Sequence, residues 1–265
     1  MKDSDNISLI IIGGAEDKNG HKEILKKVAE NVESKGKLVI ATVATESPKE
    51  VGEIYKNLFQ NLGLVNISIL NIENRQDGYS IDNVNMIEHA SLIFFTGGDQ
   101  LRITSMLGGT PLYQKLLENH ANGGIIVGTS AGASVMSDTM IIQGPDDDSP
   151  KKCTLKMAPG LGVINGVLID QHFAQRGRLG RLMVGVAENP QSLGIGIDED
   201  TAIVVNRSGE FQVIGSGAVY IIDGSTISKS NVSEQYPNEI LSIFNIKLHV
   251  LKAGNTFDLK NRIPY

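Results

Sequence analysis

Short, nearly unbroken apolar runs separated by amphipathic stretches fill the first two-thirds of the chain. Residues 9–12, 37–43, 65–72, 92–95 and 125–127 are rich in Val, Ile, Leu and Phe and read as buried strands. Between them, 21–34, 48–62, 82–89 and 111–119 place apolar residues at helical spacing, and the second of these helices opens on Pro48, where a missing N–H is tolerated. Strands alternating with helices predict an α/β, three-layer architecture, a mostly parallel central sheet with helices on both faces. After residue 162 the pattern changes to short runs at turn-rich spacing, 163–169, 194–197, 202–205, 211–214 and 218–222, which predict an antiparallel C-terminal extension. Asn206-Arg207-Ser208-Gly209-Glu210 fits a hairpin turn, and the acidic stretch from Gly144 to Pro150 fits a loop. No linker or repeat interrupts the chain, so residues 1–265 are expected to form a single domain.

Composition narrows the partners. With 41% hydrophobic and 20% charged residues over 265 positions, the chain is neither disordered nor fibrous and is long enough for a substantial core. A net charge of -6 and a pI of about 5.4 argue against nucleic acid or an anionic membrane as the main partner. Mild acidity suits a cationic or polyampholytic ligand, but it is also ordinary cytosolic composition. The one cysteine, Cys153, cannot form an internal disulfide and has no zinc-ligand cluster around it, so no metal or other cofactor is expected. The start, Met1 to Asn6, is polar and acidic, with no export signal, and no apolar run reaches transmembrane length. A cytoplasmic location is expected.

In open α/β sheets, ligands gather beyond the carboxyl ends of the strands. Three polar loops fall there: Gly13-Gly14-Ala15-Glu16-Asp17, Gly97-Gly98-Asp99-Gln100, and Gly128-Thr129-Ser130-Ala131-Gly132. The third lies between a strand and a run of small residues suited to a helix start, the layout of a nucleophile elbow. Such a turn strains the Ser backbone and lifts its hydroxyl into a cleft, with the next N–H, that of Ala131, facing a developing oxyanion. A Gly-rich turn with a helix-capping Ser is the alternative. Gly97-Gly98 could bring a second N–H close to substrate, or form a plain turn.

A nucleophilic Ser needs a base and an orienting acid. His21 and His89 sit among charged residues in helical patterns, His120 lies at a helix end, and His249 lies in a strand-like run. His172 differs: it directly follows a strand, in Ile169-Asp170-Gln171-His172, and precedes Arg176, Arg178 and Arg181. Asp198, Glu199 and Asp200 follow another strand, and alternation does not choose among them. The order Ser, His, acid departs from the usual α/β-hydrolase order. Arg178 and Arg181 share a helix face at i, i+3 spacing, placed to clamp carboxylates or simply to face solvent. Asp170, Glu16, Asp17 and the run Asp146 to Asp148 would add negative charge nearby, giving a cleft of both signs.

Five segments taken together, Gly14-Ala15-Glu16-Asp17, Phe95-Thr96-Gly97-Gly98-Asp99-Gln100, Gly128 to Ala133, Asp170-Gln171-His172-Phe173 with its arginines, and Gly196 to Ala202, closely resemble the cyanophycinase family. The resemblance spans at least residues 10–205. It implies a fold like the class I glutamine amidotransferases and a serine exopeptidase related to dipeptidase E. Members of that family degrade cyanophycin, a poly-aspartate with Arg on each β-carboxyl, to β-Asp-Arg dipeptides. It further implies Ser130 as nucleophile, His172 as base and Glu199 as acid, with Gly98 and Ala131 supplying oxyanion N–H groups. Gln100, Asp170, Gln171, Arg176, Arg178 and Arg181 would bind substrate, and a homodimer is expected. An aspartyl dipeptidase using the same triad, or a non-catalytic binding protein, would share these motifs. A dinucleotide site is disfavoured, because Gly13-Gly14 lacks G-x-G-x-x-G spacing and its acids would repel phosphate.

Overall fold

The computed structural model describes residues 7–146, 148–234 and 236–265, so the acidic start Met1 to Asn6 and Asp147 of the expected acidic loop lie outside the described residues. In chain order the elements are β1 (Ile7–Ile12), α1 (Glu23–Glu30), β2 (Leu38–Ala41), α2 (Pro48–Asn61), β3 (Ile67–Leu70), α3 (Ile81–Glu88), β4 (Leu92–Phe95), α4 (Gln100–Leu107), α5 (Pro111–Ala121) and β5 (Ile125–Thr129). There follow α6 (Ala131–Ser134), β6 (Thr139–Gln143), β7 (Lys156–Pro159), β8 (Val167–Gln171), α7 (Leu179–Glu188), β9 (Leu193–Ile197), β10 (Thr201–Asn206), β11 (Glu210–Gly215) and β12 (Ala218–Asp223). The chain ends with β13 (Lys229–Ser230), β14 (Ile243–Phe244), β15 (Lys247–Lys252), β16 (Thr256–Asp258) and β17 (Ile263–Pro264).

The central sheet has nine strands in the order β17-β16-β11-β10-β1-β5-β4-β2-β3. Its half from β1 to β3 is parallel, as the alternating strand and helix pattern requires. Its other half, from β10 outward, is the antiparallel extension. Local chemistry fixes the helix starts: Asp99 accepts Leu101 N at the head of α4, and Thr110 accepts Tyr113 N at the head of α5 ahead of Pro111. The first helix starts later than its apolar spacing predicts, because Lys22 takes a left-handed conformation (φ 53°) and cannot be a helical residue, and it ends at Glu30, short of the expected 34.

One part of the sequence expectation is corrected. β8 and β9 do not belong to an antiparallel extension of the central sheet. They pair in parallel within a separate four-stranded sheet, β15-β12-β9-β8, while β12 and β15 add antiparallel to them. The reason is α7: the Arg-rich stretch after residue 177 becomes a helix, and a strand-helix-strand crossover returns β9 parallel to β8. The hairpin β6-β7 was also outside the sequence expectation.

Two apolar clusters hold the central sheet. Ile10, Ile12, Leu38, Ile40, Leu92 and Phe94 pack against α1 and α2. On the opposite face Leu9, Ile11, Phe95 and Ile126 join Val167, Ile169, Ile195, Ile197 and Val219, so the two sheets share one apolar core. No helix among the described residues is long and apolar enough to cross a membrane.

Phe94 anchors the strand that delivers the Gly97-Gly98 loop. It is fully buried, with its ring 4.9 Å from Tyr55 and 5.5 Å from Phe59 between centroids. Phe94→Ala is expected to cost about 3–5 kcal/mol in urea unfolding, the range for emptying a buried aromatic site.

Candidate active site

Ser130 stands between β5 and α6 with φ 55° and ψ -114°, a backbone state that non-glycine residues rarely hold. The glycines beside it have a steric cause. A Cβ on Gly128 would run into the carbonyl of Gly132, and one on Gly132 into the carbonyl of Phe95. Strand and helix approach closely only because both are bare. The Ser130 N–H donates to the Ile12 carbonyl at 3.1 Å, tying the elbow to the end of β1.

His172 directly follows β8 and is likewise at positive φ (48°), with its N–H donating to the next carbonyl along, Gly13, at 2.8 Å. Its imidazole spans the gap between two groups. Nε2 lies 3.0 Å from Ser130 Oγ, and Nδ1 lies 2.6 Å from Glu199 Oε1. A carboxylate only accepts, so the ring proton sits on Nδ1 and Nε2 is left to accept the serine proton. Burial pushes the His172 pKa below its ordinary 6.5, and the charges of Arg176 and Arg178 push the same way against the pull of Glu199. The imidazole is therefore biased toward its neutral form, the state in which Nε2 can accept a proton.

The run Asp198-Glu199-Asp200 divides its labour. Asp198 is buried and accepts Ala174 N through one oxygen (2.9 Å) and Ala218 N through the other (3.0 Å). Asp200 accepts Asp17 N at 2.8 Å and Ser216 Oγ at 2.8 Å, and its own N–H donates to the Gly14 carbonyl at 2.9 Å. The two flanking acids brace backbone, and only Glu199 turns toward the imidazole. Gln175 Oε1 fixes Glu199 from behind by accepting its N–H at 3.0 Å.

The remaining residues expected at the site divide into several groups. Gly97 abuts Ser130, with the position of a Cβ 3.3 Å from the serine Cβ, and Gly98 follows at φ 143° where any side chain would strike the Ala44 carbonyl. Ala131 opens α6, whose first N–H groups have no partner within the helix. Gln100 spends its amide on the Ile141 carbonyl at 2.8 Å, joining α4 to the β6-β7 hairpin. Arg176 is exposed.

Arg178 and Arg181 are neither solvated helix-face residues nor free cations. Both are buried in a quartet with Asp170 and Asp146. Arg181 grips Asp170 with two bonds, Nε to Oδ2 at 2.6 Å and Nη2 to Oδ1 at 2.5 Å. Arg178 donates to Asp146 at 2.8 Å and to the Gln171 carbonyl at 2.7 Å. Two acids and two guanidiniums neutralise one another and hold the strand end that carries His172, with Gln171 buried between. The sequence expectation that Glu16 and Asp17 line a charged cleft is also corrected. Glu16 is 3% exposed and turned under the elbow, while Asp17 accepts three N–H groups of its own loop, from Asn19, Gly20 and Lys22, which hold its carboxyl down at about 2.

Sequence reasoning missed the roles of Asp146, Gln175, Asp198 and Asp200. It also missed the use of Gly13 and Gly14 as carbonyl acceptors. The three acids stood in the sequence as candidate charges and the Gly-Gly pair as a strand-end loop, but their partners did not. A Cβ on Gly14 would fall on the His172 ring, and one on Gly13 on the Asp198 carbonyl.

A serine, an imidazole and a carboxylate in relay at a strained elbow define a hydrolase of the acyl-transfer class. Comparison with known proteins agrees. Residues 9–213 match the model of peptidase family S51, and the chain belongs to that family. A cyanophycinase of Geminocystis herdmanii is 36% identical over 266 residues, covering 100% of this chain and 98% of its own length. One from a Nostoc species is 39% identical over 258 residues, covering 96% and 86%. The crystal structure of a peptidase from an acI-B1 Actinobacterium shares the fold, with a TM-score of 0.67 at 24% identity over 96% of this chain and 98% of that one.

Two outcomes test the geometry. Gly14→Ala should retain its melting temperature to within a few degrees yet lose about 10²-fold in kcat, since a displacement of about 1 Å in the base is enough. The sign of the electrostatics is checked by the acidic limb of kcat/KM against pH, which reports protonation of His172. Arg176→Ala removes a repelling cation, raises the His172 pKa and moves that limb to higher pH. Glu199→Gln removes the attracting carboxylate and moves it lower.

Proposed function

We propose that this protein is a serine exopeptidase that hydrolyses cyanophycin to β-Asp-Arg dipeptides. The observation that carries the reading is the Ser130–His172–Glu199 relay, at 3.0 and 2.6 Å, in a chain similar along its whole length to cyanophycinases. Ser130 Oγ attacks the carbonyl carbon of a backbone Asp–Asp amide while His172 Nε2 takes its proton, and Glu199 stabilises the resulting imidazolium. The N–H groups of Gly98 and Ala131 hold the oxyanion. Collapse expels the amine, which receives the proton from His172 and leaves an ester on Ser130. Water then attacks the ester, giving its proton to His172, and the acid product departs with the serine restored.

Of the residues expected to recognise substrate, Gln100, Asp170, Gln171, Arg178 and Arg181 are engaged within the protein or buried. Arg176 is the exposed cation of this set and suits a substrate carboxylate, whereas Arg178 and Arg181 act through Asp170 on the strand end before His172. The reading takes residues 1–265 as one hydrolytic domain, supported by the apolar core that both sheets share. It places the protein in the cytoplasm as a homodimer, and the exposed edge strand β15 with Leu248 and Val250 outward is consistent with self-association.

The test is incubation of the purified protein with cyanophycin granules and, separately, with Asp-X dipeptides. Release of β-Asp-Arg from granules, abolished in Ser130→Ala, is the expected result. Cleavage confined to the short peptides would assign an aspartyl dipeptidase instead. Near-normal release by Ser130→Ala would overturn the nucleophile, since loss of a single oxyanion donor alone costs about 10²–10³-fold.

A further inference from the structure

A buried carboxylate lies directly beneath the elbow, and the acyl-transfer steps make no use of it. Glu16 stands four residues beyond β1 with both oxygens engaged. Oε2 accepts the Thr129 hydroxyl at 2.6 Å. Oε1 accepts the Tyr55 phenol at 2.5 Å and faces Lys18 Nζ at 2.9 Å. Burial pushes the Glu16 carboxyl up, but Lys18 and the hydrogen bonds from Thr129 and Tyr55 outweigh it and hold the group below the ordinary carboxylate range. It remains ionised, so its bonds to the two hydroxyls are charge-assisted and short.

Three elements meet on this one side chain: the loop after β1, the last residue of β5 and the middle of α2. Two of the three carry the reaction geometry. Thr129 is itself buried and is the residue before the nucleophile. The loop that carries Glu16 also carries Gly14, against which the His172 ring is seated, and Gly13, which accepts the His172 N–H. A serine held at φ 55° keeps that conformation only where its surroundings over-determine it. The backbone bond from Ser130 to Ile12 is one constraint, and the Thr129–Glu16 bond is the side-chain constraint on the strand side of the turn.

We propose that Glu16 is a positioning residue for the nucleophile: through the Thr129 hydroxyl it locks the elbow to the loop that seats His172, and so sets the Ser130–His172 separation. The proposal rests on Ser130 being the nucleophile. The Tyr55 arm of the same carboxylate reaches away from the site into α2 and serves packing alone. This asymmetry separates a positioning role from a merely structural one. Thr129→Val and Tyr55→Phe are both near-isosteric, and each deletes one hydrogen bond to the same buried carboxylate. They carry similar stability costs and differ in which element they release.

The readout is the second-order rate at which a fluorophosphonate labels Ser130, which requires no bound peptide. Thr129→Val is expected to slow labelling by about 10²-fold and to lower kcat on cyanophycin in parallel with KM unchanged. Tyr55→Phe should lower the melting temperature by a similar amount and label at the wild-type rate. Thr129→Ser, which keeps the hydroxyl, should restore labelling. A wild-type rate in Thr129→Val, an equal loss in Tyr55→Phe, or no rescue by Thr129→Ser would each overturn the proposal. If Thr129→Val does not fold, Glu16→Gln, which keeps the shape and removes the charge, decides: slowed labelling supports the role and a wild-type rate overturns it. A wild-type protein that does not label at all overturns the nucleophile and the proposal together, whereas labelling without cyanophycin cleavage leaves the positioning role standing and removes only the substrate.

Discussion

Three consecutive carbonyls at the end of β1, those of Ile12, Gly13 and Gly14, accept the N–H groups of Ser130, His172 and Asp200 in turn. Ser130, His172 and the turn bearing Glu199 are thus pinned to adjacent peptide units at one strand end. Backbone groups have few soft degrees of freedom, so this strip sets the spacing of the relay more rigidly than side-chain contacts would. It works only with bare residues at its centre, because side chains at 13 and 14 would occupy the Asp198 carbonyl and the imidazole. The strip also explains why the site lies at the carboxyl end of β1. Beyond Ile12 the ladder with β5 has ended, and the carbonyls that would have continued it are available to other segments.

Charge is arranged around that strip in two tiers. The quartet of Asp170, Asp146, Arg178 and Arg181 is internally neutral, with three members buried and Asp146 closing it from the exposed side, which makes it weak support for stability but a stiff mount for the residues between Asp170 and His172. Removing one member would strand a buried charge, so the four positions are bound to one another. The second tier acts on the base itself. Arg176 and Arg178 disfavour the imidazolium and Glu199 favours it, and with burial the balance keeps His172 neutral yet able to take a proton. Arg178 belongs to both tiers, linking the mount of the base to its basicity.

Much of this was legible in the sequence, and the parts that were not share a physical reason. The parallel half of the sheet follows from apolar runs near 9–12, 37–43, 92–95 and 125–127, since strands buried on both faces lose their alternation, whereas the run at 65–72 becomes the half-buried edge strand β3 with Val65 exposed. The Ser130 elbow is a local steric pattern and is readable as such. His172 was separable from the other four histidines because it directly follows a strand. Glu199 was not separable from its neighbours by alternation, because what divides them are contacts to Ala174, Ala218, Ser216 and Gly14, set by the return of the chain and not by nearby residues. The parallel pairing of β8 with β9 was hidden for a similar reason: short strands at close spacing look alike whether a hairpin or a helix joins them. Arg178 and Arg181 looked like cleft residues because their partner Asp146 lies in a distant loop.

The two contacts of the relay have different mechanical origins. His172 and Glu199 follow β8 and β9, paired neighbours in one sheet, so their 2.6 Å contact is carried by a continuous hydrogen-bonded ladder. Ser130 follows β5 in the other sheet, so its 3.0 Å contact with His172 crosses a seam held by the β1 strip, the shared apolar core and the loop beneath the elbow. Strain follows the same division, because Ser130 and His172, the two residues that meet across the seam, both sit at positive φ while the acid does not. The His172–Glu199 pair is therefore a preformed unit, and what the fold must adjust is the distance from that unit to Ser130. Loosening the seam would leave an oriented base with no proton within reach. Loosening the β8–β9 ladder would leave a serine facing a base of the wrong tautomer.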